Sequence, residues 1–133
     1  MSGRLIAPGS THAPALVLDE PLSLWGGLDP ATGHVIEPRH PQHGGMVTGR
    51  VLVMPAVRGS SSSASVLAEA VRAGTAPAGI VLGEPDLILA IGAAVAEELY
   101  GIQVPIAVVG PVELAAIAND QPVDIGPAGV SAD

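Results

Sequence analysis

The clearest chemical potential in this chain lies in six consecutive residues, Arg58-Gly59-Ser60-Ser61-Ser62-Ser63. They follow an apolar strand candidate, Arg50 to Val57, and precede a helical pattern. The first turn of a helix has unpaired N–H groups and the positive end of the macrodipole, so it attracts anions and favours a developing alkoxide. The hexamer therefore indicates one of two things. It is either an anion-binding turn with a reactive serine, in which Arg58 adds positive charge and Gly59 lets a ligand approach the backbone, or a serine-rich helix cap.

Three histidines lie close together in the sequence, at His34, His40 and His43. Imidazole is a common metal ligand, and the spacing of the last two could place both rings near one ion. No third ligand at a suitable spacing supports such a site. We therefore expect exposed loop histidines, and no metal ion bound by this chain.

Three other polar or glycine-rich positions have structural explanations. Asp29, between Leu28 and Pro30, is typical of a turn or Asx cap rather than a catalytic acid. Gly26-Gly27 could line a phosphate but lacks the spacing of a Walker or dinucleotide fingerprint. Glu97-Glu98 lies near the end of a predicted helix, where we expect a solvated face.

The charge balance restricts the partners that the chain can bind. Its formal net charge is -8, from thirteen acidic residues against five arginines, and it has no lysine. Nucleic acid and anionic membrane surfaces are disfavoured because both require clustered positive charge. Arg39, Arg50 and Arg58 are then the candidate anion contacts, although a lone surface arginine is more often solvated or weakly paired.

The chain has no cysteine, which excludes disulfides, thiolate catalysis and cysteine-ligated iron–sulfur or zinc sites within it. Any such cluster would have to come from another polypeptide. No apolar run approaches the length of a membrane span, and the N-terminus lacks a charged region followed by an apolar signal core. We expect a cytoplasmic location.

The elements that must position the serines form one domain, residues 1–133, with a core of small aliphatic side chains because there is no phenylalanine. From residue 46 onward the pattern alternates strand and helix, which implies parallel pairing with right-handed crossovers. The predicted elements of this half are strands over 46–57, 79–82 and 106–109, helices over 62–73 and from Glu84 to Gly101, a short helix over 112–119 and a last edge strand over 123–125.

The first half is predicted to be irregular and mostly β structure, with short strands over 4–7, 15–19 and 34–37. In the second half, Ile88, Ile91, Val95 and Leu99 recur at i, i+3, i+7 and i+11. That spacing predicts an apolar helix face packed in the core.

Three segments, taken in order, resemble the small subunit of the aconitase X family. They are Leu24-Trp25-Gly26-Gly27-Leu28-Asp29-Pro30 with Thr32-Gly33, Gly49-Arg50-Val51-Leu52-Val53-Met54-Pro55, and Arg58-Gly59-Ser60-Ser61. The later Gly74 to Leu82 and Glu84-Pro85-Asp86 fit the same pattern. The resemblance covers the chain from about residue 15 to 110, and its ordered set of motifs is more specific than any one of them.

The resemblance implies an α/β fold, a single swivelling β/β/α domain with a mixed, largely parallel core sheet and helices after the serine turn and after Glu84. Such a domain docks on a separate large subunit that carries an iron–sulfur cluster or metal ion, and this chain itself binds no cofactor. The family's proton-accepting serine falls on Ser60. Arg58, Gly59 and Ser61 are then expected to contact the substrate anion, and Ser61, Ser62 and Ser63 to act as caps and anion donors.

Family members dehydrate hydroxy acids, and bacterial members that resemble this chain act on cis-3-hydroxy-L-proline. The archaeal members act on phosphomevalonate and usually have lysine where Arg58 stands, so we expect the proline substrate. A phosphomevalonate dehydratase small subunit, or a non-catalytic binding or regulatory subunit, is the alternative.

A second resemblance concerns the segment from Ala94 to Gly110, which is similar to the end of the phosphohistidine swivelling domain of phosphotransfer enzymes. That family needs a histidine near the start of the helix, and Leu89 to Ala93 contains none. We therefore expect a shared fold and not a shared reaction.

Overall fold

The computed structural model describes residues 2–132, which form a seven-stranded mixed sheet with helices on both faces. In chain order the elements are β1 (Arg4–Ala7), β2 (Thr11–Val17), α1 (Leu24–Gly27), β3 (Val51–Met54), α2 (Ser63–Ala73), β4 (Gly79–Leu82), α3 (Leu87–Tyr100), β5 (Ile106–Val108), α4 (Pro111–Ala115), β6 (Pro122–Gly126) and β7 (Gly129–Ala132). Across the sheet the strand order is β1-β5-β4-β3-β2-β6-β7. The predicted α/β class is confirmed.

The middle of the sheet is parallel, as the strand and helix alternation predicts. β2 pairs with β3, β3 with β4 and β4 with β5 in parallel, whereas β1, β6 and β7 join antiparallel. The carboxyl ends of the four parallel strands therefore lie at one edge of the sheet. Two successive right-handed crossovers in the same direction place α2 and α3 on the same face.

Each face of the sheet has its own core of aliphatic side chains, because successive strand residues point to opposite faces. On the face covered by α2 and α3 the buried residues include Leu16, Leu52, Ile80, Ile106, Leu67 and Leu89. On the other face they include Val51, Val53, Val81, Ala107, Val123 and Ile125. The strands β3 and β4 are buried throughout, which explains their continuous apolar sequence.

Several strands are shorter than their apolar patterns suggest. β3 covers only Val51–Met54 of the predicted 46–57 segment, because the chain turns at Gly49, whose φ is 69°. Of the predicted 34–37 strand only two isolated bridges form, His34 with Met46 and Val35 with Leu28. β2, in contrast, begins earlier than expected, at Thr11.

The predicted last edge strand is an interior strand. β6 lies between β2 and β7, and β7 forms the sheet edge after a turn at Gly129, whose φ is 116°. The sequence analysis missed β7 because Gly129-Val130-Ser131-Ala132 contains a single large apolar residue.

The prediction that α3 packs in the core through Ile91, Val95 and Leu99 is wrong. Ile91, Val95 and Leu99 are 50%, 40% and 64% exposed, and the helix instead buries Leu89, Gly92, Ala93 and Ala96. The opposite face packs against α2 because its residues are small and permit close approach. No helix within residues 2–132 is long and apolar enough to cross a membrane.

Candidate functional site

The serine turn, residues 58–62, lies at the edge of the sheet where the parallel strands end. Beyond β3, Val57 forms a parallel bridge with Leu22, and the Arg58 N–H donates to the Leu22 carbonyl at 3.1 Å. The turn then leads into α2 at Ser63. In open α/β sheets ligands bind beyond the carboxyl ends of the strands, so the fold places the turn where a site is expected.

Ser60 sits over the first backbone donors of α2. Its Oγ accepts a hydrogen bond from the Ser62 N–H at 3.3 Å, and its carbonyl accepts from the Ser63 N–H at 3.1 Å. The side chain is partly exposed. A backbone donor to Oγ would stabilise negative charge on that oxygen, so the contact is compatible with the predicted reactive hydroxyl, which stays a prediction.

The other serines of the turn do not cap the helix as expected. Ser62 occupies the N-cap position but makes no side-chain capping hydrogen bond, and Ser61 is exposed. Ser63 is 1% exposed, and its Oγ has no hydrogen-bond partner among the described residues. The Ser62 N–H donates to Ser60 Oγ, a local turn contact that precedes the helix.

Arg58 is paired with a carboxylate that the sequence analysis did not single out. Its Nη1 donates to Glu37 Oε1 at 2.9 Å, with the arginine side chain 50% exposed and the glutamate side chain 31% exposed. The two residues are 21 positions apart. No local pattern could have indicated this pair, because it depends on the path of the intervening loop.

That loop is held firmly on both sides of Glu37. The Ile36 N–H donates to the Gly27 carbonyl at 2.8 Å, and the Glu37 carbonyl accepts from the His40 N–H at 3.2 Å. His40 Nδ1 accepts from the Gln42 N–H at 3.0 Å, which assigns the ring proton to Nε2, and Nε2 donates to a backbone carbonyl at 3.1 Å. His40 is only 5% exposed, so the expectation of an exposed loop histidine is wrong for this residue.

The glycine- and aspartate-rich motif shapes the same loop. Asp29 Oδ1 accepts from the Ala31 N–H at 2.9 Å, which confirms the predicted Asx turn. At Gly27 a Cβ atom would lie 2.7 Å from Leu22 Cδ1. Gly33 has a φ of 81°, and a Cβ there would lie 2.1 Å from Thr48 Oγ1. Gly27 and Gly33 are therefore required for the close packing of this loop.

Of the other candidate anion contacts, Arg50 lies away from the serine turn, and Arg39 is exposed on the loop two residues after Glu37. Arg50 precedes β3, at the opposite edge of the sheet from the serine turn, where its Nη2 donates to the Ala15 carbonyl and to Asp120 Oδ1. Within residues 2–132, no group of three or more histidine, aspartate or glutamate side chains could hold a metal ion. Arg58 is the candidate anion contact within the serine turn itself, two residues before Ser60.

A groove of about 310 Å³ opens at the carboxyl ends of β2 and β3, on the face that α4 covers. Its walls include Met54, Pro55, Pro111 and Leu114, and its one charged residue is Asp19. With apolar walls and a carboxylate, the groove offers no cation to an anionic group. Positive charge near this edge comes from Arg58.

The aconitase X swivel domain family matches residues 1–130 of the chain. Cis-3-hydroxy-L-proline dehydratase of Pseudomonas aeruginosa is 48% identical over 107 residues, which are 80% of this chain and 18% of that protein. The phosphomevalonate dehydratase small subunit of Methanothermobacter thermautotrophicus is 42% identical over 93 residues, 70% of this chain and 71% of that protein. These relatives are dehydratases, that is hydro-lyases, or their small subunits.

Two solved structures share the whole fold. The crystal structure of Thermococcus kodakaraensis aconitase X in its holo form superimposes with a TM-score of 0.88 and 27% identity, over 99% of this chain and 96% of that one. The solution structure of a UPF0107 protein gives 0.87 and 31%, over 100% and 98%. The chain therefore belongs to the aconitase X swivel domain family.

Proposed function

We propose that this chain is the small subunit of a two-subunit hydro-lyase that dehydrates cis-3-hydroxy-L-proline, with Ser60 as the proton acceptor. The observation that carries the proposal is the position of Ser60 Oγ, which accepts from the Ser62 N–H at the start of α2 and lies two residues from a guanidinium. The 48% identity to a dehydratase of this substrate supports the choice of reaction.

The reaction breaks the C–H bond on the carbon next to the carboxylate and the C–O bond on the neighbouring ring carbon. A double bond forms between these two carbon atoms. A neutral serine is a poor base, so Ser60 must act as an alkoxide or close to one. Two groups of this chain favour that charge, the Ser62 N–H and the N-terminal end of α2, and Arg58 contributes only in part because Glu37 offsets its charge. The alkoxide takes the proton, and the C–H electron pair moves toward the new double bond.

The departing hydroxyl needs an acid, which we assign to the large subunit. The chain has no cysteine, and the clusters of ligands needed for a metal ion are missing from residues 2–132. The residues present thus do not fit an iron–sulfur cluster or metal ion, and we place that group on the large subunit as part of the proposal. Every step assigned to this chain concerns binding and proton transfer.

The exposed face of α3 supports the need for such a partner. We define the α3 stripe as Leu87, Ile91, Val95 and Leu99, which are 76%, 50%, 40% and 64% exposed. A helix that is apolar on all sides is normally buried on all sides. The stripe begins at the edge of the sheet that carries the serine turn, so a large chain that completes the site could cover both.

Phosphomevalonate is the second candidate substrate. The phosphomevalonate dehydratase small subunit of Methanothermobacter thermautotrophicus is 42% identical over 70% of this chain, which supports this alternative. With a net charge of -8 and no lysine, the chain is less suited to binding a phosphorylated acid. That the chain is a non-catalytic subunit stays an alternative prediction. Its cytoplasmic location also stays a prediction.

The test is reconstitution of the chain with its cognate large subunit, followed by dehydration assays with both hydroxy acids. We expect turnover of cis-3-hydroxy-L-proline by the pair and none by either chain alone. If the pair dehydrates phosphomevalonate instead, the substrate is phosphomevalonate and not the proline. Dehydration of neither acid would overturn it, and normal turnover by a pair with Ser60→Ala would favour a non-catalytic subunit.

A further inference from the structure

The pairing of Arg58 leaves much of its guanidinium available. Nη1 donates to Glu37 Oε1, and within residues 2–132 Nε and Nη2 have no partner. Arginine has five N–H donors in a planar fork, and the Nε and Nη2 pair matches the two oxygens of a carboxylate. With half of the side chain exposed, that edge of Arg58 can bind a carboxylate while Glu37 keeps its own contact.

Glu37 has unused capacity as well. Only Oε1 accepts from Arg58, and a carboxylate can accept about four hydrogen bonds. The side chain is 31% exposed, so a small ligand can reach it. The backbone contacts of Ile36 and of the Glu37 carbonyl fix its position. The pair is thus a positive and a negative group held side by side.

The pair also lies within reach of the proton acceptor. Arg58 is two residues before Ser60, so their Cα atoms are at most about 7.6 Å apart. Both side chains therefore start from the same short turn, and we take one ligand to contact both. The charges on such a ligand therefore determine how tightly it binds at this edge of the sheet.

The two candidate substrates differ in those charges. A phosphorylated hydroxy acid brings about -1.5 to -2 from its phosphate in addition to a carboxylate, and it would meet the Glu37 carboxylate. An amino acid such as hydroxyproline carries one carboxylate and one protonated ring nitrogen. Since Arg58 and Glu37 together have no net charge, the pair matches the zwitterion and offers no net attraction to the polyanion.

We propose that Glu37 and Arg58 form a clamp for a zwitterionic cyclic amino acid, with Arg58 binding the carboxylate and Glu37 the secondary ammonium. The inference rests on the proposed function, which it deepens by making Glu37 the residue that selects the substrate class. Because Glu37 contacts the ammonium, a cyclic amino acid should bind more tightly than the same ring acid without the nitrogen.

The test measures binding of two ring acids to the reconstituted complex by titration calorimetry, which does not require turnover. L-Proline carries the ring ammonium, and (S)-tetrahydrofuran-2-carboxylate has oxygen in its place. We expect wild type to prefer L-proline by about tenfold or more, as for one charge-assisted hydrogen bond. In Glu37→Gln and Glu37→Ala the ratio should fall below about threefold.

Glu69 provides a matched control. It is an exposed glutamate paired with an arginine on α2, where Arg72 Nε donates to both of its carboxylate oxygens at 3.0 Å. Glu69→Gln changes the net charge by the same amount and should leave the ratio unchanged. Equal thermal midpoints of the variants and wild type show that the fold is intact.

The outcomes separate the clamp from the reaction. A ratio in Glu37→Gln equal to that of wild type overturns the clamp, as does a wild-type complex that binds both acids equally or binds neither. A Glu37-dependent preference for L-proline in a complex that dehydrates no hydroxyproline supports the clamp and overturns the proposed function.

Discussion

Gly92 of α3 lies so close to Ala64 of α2 that a Cβ atom at residue 92 would be 2.9 Å from both the Cα and the carbonyl oxygen of Ala64. This contact decides which side of α3 faces the protein. The small residues Gly92, Ala93 and Ala96 are buried, and the larger aliphatic residues of the α3 stripe point outward. This helix contact therefore leaves an apolar stripe exposed on α3.

Gly92→Ala should destabilise the chain. Helix propensity alone predicts stabilisation by about 1 kcal/mol, but a methyl group at 2.9 Å from backbone atoms forces α2 and α3 apart. We expect a net loss of roughly 1–3 kcal/mol in denaturant unfolding. Ala94→Gly, at an exposed position of the same helix, should cost about 1 kcal/mol by propensity only. A gain in stability for Gly92→Ala would show that the contact is not tight.

Ile91→Glu should weaken assembly with the large subunit without unfolding the chain. Ile91 is 50% exposed, so the isolated domain tolerates a charge there, whereas a desolvated carboxylate in an apolar interface is costly. We expect at least about a tenfold rise in the dissociation constant by calorimetry. Ala128→Glu, in the exposed turn before β7, is the charge-matched control. Unchanged affinity for Ile91→Glu would place the interface elsewhere.

Ser60→Ala should lower kcat of the reconstituted complex by about 10²–10⁴-fold, the range for loss of a general base. Ser61→Ala removes a neighbouring exposed hydroxyl that is expected only to contact the substrate anion, so it should lower kcat much less than Ser60→Ala does. Steady-state dehydration rates compare the two. Equal effects of both substitutions would show that the turn acts only through its backbone.

Arg58→Lys should raise KM for the hydroxy acid by about tenfold, because lysine keeps the charge but loses the planar fork that binds a carboxylate through two bonds. Arg58→Gln should raise it further. Arg72→Lys is the control, since Arg72 pairs with Glu69 on α2. The hydrogen bond from Arg72 lowers the pKa of Glu69, yet that pair is exposed and should not affect KM. An effect confined to kcat would contradict a role of Arg58 in binding.

Asp86→Ala should destabilise α3 by about 1 kcal/mol, because Asp86 Oδ1 accepts from the Leu89 N–H at 2.8 Å and caps the helix. For a domain of this size we expect a fall of about 3–5 °C in the thermal midpoint. Glu84→Ala, which removes an exposed carboxylate two residues earlier, should shift it little. Equal shifts would indicate a general charge effect.

Much of the local structure could be predicted from the sequence. The apolar runs at 79–82 and 106–108 are β4 and β5, and α3 ends before Gly101, which adopts a φ of 68°. The serine turn lies between β3 and α2, as its neighbours predict. These features follow from residues close in sequence, whose periodicity, caps and turn preferences act locally.

By itself, the sequence determined the strand and helix alternation, the absence of cysteine and lysine, and the placement of Ser60 before a helix. Tertiary structure decided the rest: the outward face of α3, the burial of His40 and the contact between Arg58 and Glu37. Periodicity reports which residues are apolar but not which side of a helix another helix covers. Likewise, a pair 21 residues apart meets only through the folded path of the loop between them.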